Sequence, residues 1–476
     1  MSRLVRHLED IVGEENVTDD EEVLWTYARD QQWPFVPPMR PDYVVRPKSR
    51  EEVQAVMRLA YRERIPVIPY SAGINVRGLC IPTQGGIMLD MRKMNRILEI
   101  NTEMMACVIE PGVTIAQLAS ECLKHGVRPA VPGCPATASA VANYSLRGLY
   151  HHQWKDGIEN VLSMEVVLPN GEVLYTGSWG FPNSPGPYLR YGQGPDLTGL
   201  FQNQPGTMGV ITKMCAKLFP YCDIKDWVVA GYDDLNELVR VILEFGKYEI
   251  GTSCMGMHWL GFAMIFSGRA EDVFEFKGTW GEYVVWLAIE STEETKGRME
   301  WEREMAENIV KNSNYVAGGE IFPMPEDLVN EMTYPRDVAS WFRLGSYYAV
   351  PFFAQMKLAP VYHEETKKLW LKHGLDYDTC GWFIAPFDYC KHGQSCYYEV
   401  ETWFDPTNEE ERQKLINFTD EYHQKIIEMG AYAYFRPNPG NMSAALPLMG
   451  NYAKLWKAIK DLIDPHDIMN PGKVFV

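Results

Sequence analysis

The chain has 476 residues, 46% hydrophobic and 23% charged, which is ordinary for a globular enzyme and long for a single hydrophobic core. A formal net charge of −18 argues against non-specific nucleic-acid binding, which needs a basic surface; it permits docking to a basic partner and equally serves solubility. The ten cysteines are scattered without a CxxC and read as reduced thiols of a cytoplasmic protein. The opening MSRLVRHLEDIVGEENVTDDEE has no apolar segment of signal-peptide type, and no apolar run predicts a membrane span.

In chain order, residues 1–40 read as a short helix and a Pro-rich approach, WPFVPPMRP. A short strand follows at 43–45. Ser49 and Glu52 form a capping-box pattern, and Val53, Val56, Met57, Ala60 and Tyr61 then recur at helical spacing. Strands are expected at 65–69, 87–89 and 106–109, with a turn of small residues at 70–78. Thr114 caps a helix, with Gln117 at the box position. Residues 164–168 and 172–175 pair as a hairpin closed by Pro169-Asn170-Gly171. This is an α+β pattern, not a regular βαβ alternation. Composition shifts after Pro220 to amphipathic helices, such as 293–314, and aromatic strands, such as 396–404. The tail returns to Gly/Pro-rich loops, with a helix at 451–463. The expected division is 1–220, 221–435 and 436–476.

No GxGxxG follows a strand, and GxxxxGK[ST], GxSxG and HExxH are all absent. Rossmann, Walker, hydrolase-elbow and zinc-protease chemistry therefore lack their signatures. Cys390, His392 and Cys396, near Asp388, match no strong zinc spacing, and no metal is expected. What remains is a set of small-residue loops at strand ends. Pro69-Tyr70-Ser71-Ala72-Gly73-Ile74-Asn75-Val76-Arg77-Gly78 follows a strand, and its glycines let backbone N–H groups converge on an anion such as a pyrophosphate. Similar stretches lie at 110–114, 132–143 and 206–212. Taken singly, each reads equally as an ordinary turn.

Their order carries more than any one of them. PDYVVRPKSREEV, IPVIPYSAG, ACVIEPGVTIAQL, SMEVVLPNGEV, PGTMGVITK and DIMNPGK together resemble the flavoprotein family that contains vanillyl-alcohol oxidase, p-cresol methylhydroxylase and glycolate oxidase. The resemblance covers about 40–220 and 435–476. It implies an α+β FAD domain split in sequence, with an inserted cap domain carrying an antiparallel sheet. Carried over residue by residue, Ser71, Ala72, Gly73, Ile74, Asn75, Val76 and Gly78 would wrap the FAD pyrophosphate. Pro111, Gly112 and Val113, with Val141 and Asn143, would line the adenine and flavin channel. Gly206 and Ile211 would hold the dinucleotide through backbone contacts. Lys473 would stand near the flavin N1/C2 carbonyl, where a cation eases hydride arrival at N5; otherwise it is a solvated lysine.

The chain also departs from the family. Its phenol-oxidising members hold a phenolate with two tyrosines and an arginine. The tyrosine positions fall at Gly78 and Phe435, the arginine at Arg436, and a carboxylate position at Leu146. A phenolate donor is thereby put in doubt, and flavin chemistry is not. His151 and His152 would then supply the general base, or form a surface or structural pair. Arg436 would clamp the donor or form an inter-domain ion pair. Tyr150, Trp154, Tyr434 and Phe435 would wall the substrate pocket. Tyr397 and Tyr398 lie about where some relatives carry a covalent flavin link, or they pack a core. The family's His-rich metal motif and Glu-His-Gly-Ile-Gly segment are absent.

The resulting expectation is an FAD-dependent oxidase or dehydrogenase. It would move a hydride from an aromatic or otherwise activated alcohol or alkyl carbon to flavin N5, with oxygen or a protein as acceptor. A 2-hydroxy-acid dehydrogenase and a flavin-fold electron-transfer subunit of a larger complex are the alternatives. A homo-oligomer is compatible with all three.

Overall fold

The computed structural model describes residues 3–31, 35–75, 77–146, 157–321, 341–376, 380–385, 396–433, 442 and 445–475. Helix α1 (Arg3–Val12) leads to strand β1 (Val17–Thr18), helix α2 (Glu21–Thr26), strand β2 (Tyr43–Val45), helix α3 (Arg50–Glu63) and strands β3 (Val67–Tyr70) and β4 (Ile87–Asp90). They form a sheet in the order β1-β2-β4-β3, in which β2, β4 and β3 run parallel. One βαβ unit therefore does occur, with α3 as the crossover from β2 to β3. Ser49 Oγ accepts from Glu52 N–H at 3.2 Å and starts α3. The Glu52 carboxylate accepts from Lys48 N–H at 2.8 Å, so the expected box closes one residue early. Val53, Val56, Met57 and Ala60 are buried against Val45, Val67, Ile87 and Leu89 of the sheet.

The second sheet uses β5 (Ile97–Asn101), β6 (Ala106–Ile109), β7 (Val127–Pro129), β8 (Val161–Val167), β9 (Val173–Tyr175) and β10 (Val210–Pro220). Its order is β5-β6-β10-β8-β9, with β7 pairing the far end of β10. Helix α4 (Ile115–Leu123) precedes β7, and helix α5 (Ala140–Ser145) follows it. Thr114 Oγ1 caps α4 by accepting from Gln117 N–H at 3.1 Å, while the Gln117 amide reaches Asn95 O at 2.9 Å. The expected hairpin joins β8 to β9. Gly171 takes φ +81° in its turn, a conformation that strains any residue with a Cβ.

The third sheet is antiparallel and eight-stranded. Its elements in chain order are β11 (Ile224–Tyr232), α6 (Leu235–Lys247), β12 (Ser253–His258), α7 (Trp259–Phe266), β13 (Tyr283–Ser291), α8 (Lys296–Lys311), β14 (Ala317–Ile321), β15 (Ser346–Ala354), α9 (Ala359–Lys372), β16 (Cys380–Ala385), β17 (Cys396–Phe404), α10 (Glu409–Glu428) and β18 (Tyr432–Ala433). The strand order is β14-β11-β13-β12-β16-β17-β15-β18. Alternate residues enter two different cores. Val228, Ala230, Val285, Leu287, Tyr398 and Val400 pack under α6, α8, α9 and α10. Trp227, Val229, Val284, Trp286 and Tyr397 face the other way, onto the core of the second sheet. Every residue of β17 is buried as a result.

Helix α11 (Asn451–Ile463) ends in a tail that returns to the first sheet. Val67 N–H donates to Ile468 O at 2.7 Å and Asn470 N–H to Val67 O at 2.9 Å, so the tail adds to the free edge of β3. Asp464 fixes the approach by accepting from Ile468 and Met469 N–H at 3.1 and 2.8 Å. The α+β expectation holds, and the two ends of the chain form one body. Among the described residues no helix is long and apolar enough to cross a membrane.

The second and third sheets are also tied by charge. Arg128 of β7 grips Glu290 of β13 with two bonds of 2.9 and 2.6 Å, and both side chains are buried. Glu290→Gln would remove the charge from this two-bond pair, at a cost of about 3–5 kcal/mol. A lower midpoint in urea is expected, with Glu290→Asp intermediate; a Glu290→Gln midpoint equal to wild type would show that the pair does not hold the sheets together.

Candidate functional site

β3 ends at Tyr70, and the chain then turns through a loop of small residues. Gly73 sits at φ +75° and Gly78 at φ +68°, which only glycine adopts without strain. Among the described residues, the backbone N–H groups of Ala72, Gly73, Ile74 and Asn75 donate to no protein acceptor. The loop is nonetheless held in place. Asn75 Oδ1 accepts from the N–H groups of Arg77 and Leu79 at 2.8 and 3.2 Å. Asp30 accepts from Gly78 N–H, and Lys473 Nζ donates to Gly78 O, both at 2.8 Å. The buried Arg77 reaches across to β15 and donates to Ala349 O at 2.6 Å.

Beside this loop lies a partly open cleft. Ser71, Gly73, Ile74 and Asn75 form one wall. Pro111 and the α5 residues Val141, Ala142, Ser145 and Leu146 form another, and Gly206 and Met208, with 209–211, close the third. Gly206 takes φ +69° over Pro69. Of the residues named from sequence, Ser71, Gly73, Ile74, Asn75, Pro111, Val141, Gly206 and Ile211 line this space.

Ala72, Gly78, Gly112, Val113, Asn143 and Lys473 do not line it. Gly112 is a packing glycine: a Cβ there would meet Met94 O at 2.7 Å and Met91 O at 2.8 Å. Val113 is in the core, and the Asn143 amide donates to Ser139 O at 2.9 Å. Lys473 is 7% exposed, which corrects the solvated reading. Burial lowers its pKa to about 8, with Cys80 and Asp30 pulling weakly the other way.

Tyr397 and Tyr398 point to opposite faces of β17. Tyr398 lies under the helices, its hydroxyl 2.9 Å from Gln355 O and 3.1 Å from Met356 O, with one hydrogen to donate between them. Its stacking on Phe352 belongs to the helix-side core, so the covalent-link expectation does not suit Tyr398. Tyr397 lies on the face toward the second sheet and donates to Glu399 Oε2 at 2.7 Å. Val76, Tyr150, His151, His152, Trp154, Tyr434, Phe435 and Arg436 lie outside the described residues, as do Cys390 and His392. Sequence reasoning missed Arg77, Tyr70, Cys80 and Phe201. An arginine amid small residues was the available signal for the first.

Two family matches cover the ends of the chain. Residues 41–177 match the FAD binding domain, and residues 449–474 match the C-terminal domain of FAD linked oxidases. An "Uncharacterized FAD-linked oxidoreductase" of Mycobacterium tuberculosis is 28% identical over 51% of this chain and 51% of its own length, so the match spans about half of that relative. "Probable D-lactate dehydrogenase, mitochondrial" of Danio rerio is 25% identical over 100% of this chain and 92% of its own. Two solved structures share the fold: a 4-ethylphenol oxidase from Gulosibacter chungangensis (TM-score 0.84, 21% identity) and a p-cresol methylhydroxylase with substrate bound (TM-score 0.84, 22% identity). Each alignment covers 99% of this chain and 96% of the other.

The cleft suits FAD on its own geometry. The free N–H groups of Gly73, Ile74 and Asn75, at a positive-φ glycine, suit a diphosphate, and the wall of Val141, Ala142 and Met208 is small and apolar enough for flat rings. Gly73→Val would strain the loop, and flavin content after purification is expected to fall about tenfold or more with the fold intact by circular dichroism; full occupancy would sink the loop's role. Lys473→Met tests the tether. A depressed lysine pKa means the folded chain holds fewer protons than the unfolded one between about 8 and 10.5, so this group's contribution to stability rises with pH across that window. The wild-type melting temperature should therefore gain on that of Lys473→Met from pH 8 to 10; parallel curves would refute the buried charge.

Proposed function

We propose that the chain is an FAD-linked oxidoreductase that oxidises an aromatic or otherwise activated alcohol or alkyl carbon and passes the electrons to oxygen or a protein acceptor. FAD, when bound, supplies a two-electron acceptor that takes a hydride at N5. The chain's residues do the rest. The N–H groups of Gly73, Ile74 and Asn75 bind the diphosphate, and Val141, Ala142 and Met208 keep water from the rings. Leu146 lines the cleft where phenol-oxidising relatives carry an acid, which favours a neutral donor. Arg436 orients the donor, within walls that include Tyr150, Trp154, Tyr434 and Phe435, with His151 and His152 in the same segment as Tyr150 and Trp154. The FAD-binding parts would be 1–220 and 436–476, with 221–435 as the cap.

One observation carries this reading. Arg77, from the cleft loop, reaches a sheet face crowded with rings: Tyr347, Trp403 and Trp341 stand within 6.4 Å of one another, centroid to centroid, and Phe353 packs at 5.3 Å on Tyr397. Flat donors suit such a wall. The two fold neighbours are named for aromatic substrates, a 4-ethylphenol oxidase and a p-cresol methylhydroxylase. A second reading, oxidation of a 2-hydroxy acid with Arg436 on the carboxylate, is favoured by the D-lactate dehydrogenase relative that spans the whole chain.

Anaerobic mixing of the yellow protein with a donor panel separates the two. Bleaching by benzylic or allylic alcohols at micromolar to millimolar concentration is expected. Bleaching by lactate or glycolate alone would replace the first reading with the second. No bleaching by any small donor, with reduction by a partner protein, would overturn both.

A further inference from the structure

Two glutamates occupy a place where the fold has no obvious use for charge. Glu399 and Glu401 lie on β17 between Tyr397 and Trp403, on the face turned toward the flavin-binding half, and they are 3% and 2% exposed. An ionised carboxylate in such a place needs a partner. Arg77 Nη2 stands 3.8 Å from Glu399 Oε1, and among the described residues no cation pairs with Glu401.

The hydroxyl between them fixes the proton count. Tyr347 Oη is 2.8 Å from Glu399 Oε1 and 3.0 Å from Glu401 Oε1. A phenol has one hydrogen and can donate it to one carboxylate only. The second short contact requires the other carboxyl to bring a proton of its own. The cation beside Glu399 keeps the charge there and leaves the proton on Glu401. Tyr397 Oη, donating to Glu399 Oε2 at 2.7 Å, gives the charged carboxylate a proton wire to the next side chain along the strand. Glu401 Oε2 takes no hydrogen bond among the described residues and faces Gly261 of α7, whose added Cβ would lie 3.9 Å away.

We propose that Glu399 and Glu401 hold one proton between them across the Tyr347 hydroxyl, and that Glu399 takes up, through Tyr397, the proton released when the donor is oxidised. The transfer balances. The donor hydroxyl gives its proton to Tyr397 Oη while Tyr397 gives its own to Glu399 Oε2. The carbon-bound hydrogen leaves with its electron pair to FAD, and the C–O bond becomes double. Tyr397, which exchanges a proton with the donor, is a catalytic residue of this step, and Tyr347 is a positioning residue. The step rests on the function proposed above; the shared proton does not.

The surroundings support this assignment. Burial raises both carboxyls, and the Glu399 charge lifts Glu401 further; Arg77 and the two tyrosine hydroxyls work against the rise at Glu399. From β15 the titratable neighbour is Tyr347, from the loop Arg77, and from β17 itself Tyr397. On β16 the register places Gly381 and Phe383 opposite, and α7 presents Gly261. A carboxyl raised in the folded state contributes stability that is full below its unfolded pKa and is lost as pH climbs through the folded one.

The shared proton is tested on the resting protein by infrared spectroscopy with labelled glutamate. Wild type should show a protonated-carboxyl band at pH 7 that disappears on alkaline titration and is missing in Glu401→Gln. The melting temperature of Glu401→Gln should fall less than that of wild type as pH rises. Absence of the band from wild type, which needs no variant, would overturn the dyad. The transfer is tested with Tyr397→Phe, which keeps the ring. Anaerobic flavin reduction should slow about a hundredfold with flavin content unchanged, and the acidic limb of its pH profile should vanish. A rate within about twofold of wild type with the same profile would overturn the wire even if the band is present. Failure of the donor panel to reduce wild-type flavin would instead remove the proposed function and with it the transfer, while the infrared band would still decide the dyad.

Discussion

The site depends on one loop being held rigid while its own amides stay free. Residues 72–75 can offer N–H groups to an anion only if something else fixes their backbone. That support comes from Asp30 on the Gly78 amide, Lys473 on the Gly78 carbonyl and Arg77 on the far sheet. The three anchors come from the N-terminal segment, the C-terminal tail and the loop itself. A binding loop preorganised in this way spends little of the cofactor's binding energy on ordering. It also explains why a chain end is buried. The tail is a structural part of the cleft, seated on β3 by Val67, Ile468 and Asn470.

The large sheet works as a partition. Its helix-side face holds an ordinary apolar core, closed by α6, α8, α9 and α10, and Tyr398 belongs there. Its other face meets the second sheet and carries the polar exceptions: the Arg128–Glu290 pair at one place, and Arg77, Glu399, Glu401, Tyr347 and Tyr397 at another. The first is a matched pair with two good bonds. Among the described residues the second has two carboxyls and one nearby cation, an arrangement that a protein core avoids unless a proton fills the gap. Buried polar groups left over after structural needs are met tend to be the ones that serve chemistry.

Much of the element map was readable from local patterns. The cap at Thr114, the hairpin around Asn170 and Gly171, the strand at 396–404 and the helix at 451–463 follow from turn chemistry and periodicity over a few residues. The small-residue loop was readable too, because a positive φ demands glycine at 73 and 206. The roles of Gly112 and Val113 were not, because a glycine needed for close backbone packing is identical in sequence to one needed for a ligand. The parallel crossover through α3 was missed for a similar reason: its strands are only three or four residues long, and their direction is set by pairing with β4.

What the sequence determined by itself is the presence and order of the cofactor-binding turns, since those depend on residues adjacent in the chain. What only the tertiary structure decided is which side chains share an environment. CYYEVETWF reads as an aromatic strand, and the fold covers both of its faces, so that Glu399 and Glu401 are buried with the rings. Lys473 reads as a free terminal lysine, and the return of the tail to β3 buries it at Gly78. In each case burial comes from elements hundreds of residues away, and solvent exposure, unlike turn geometry, is not a property of a short stretch of chain.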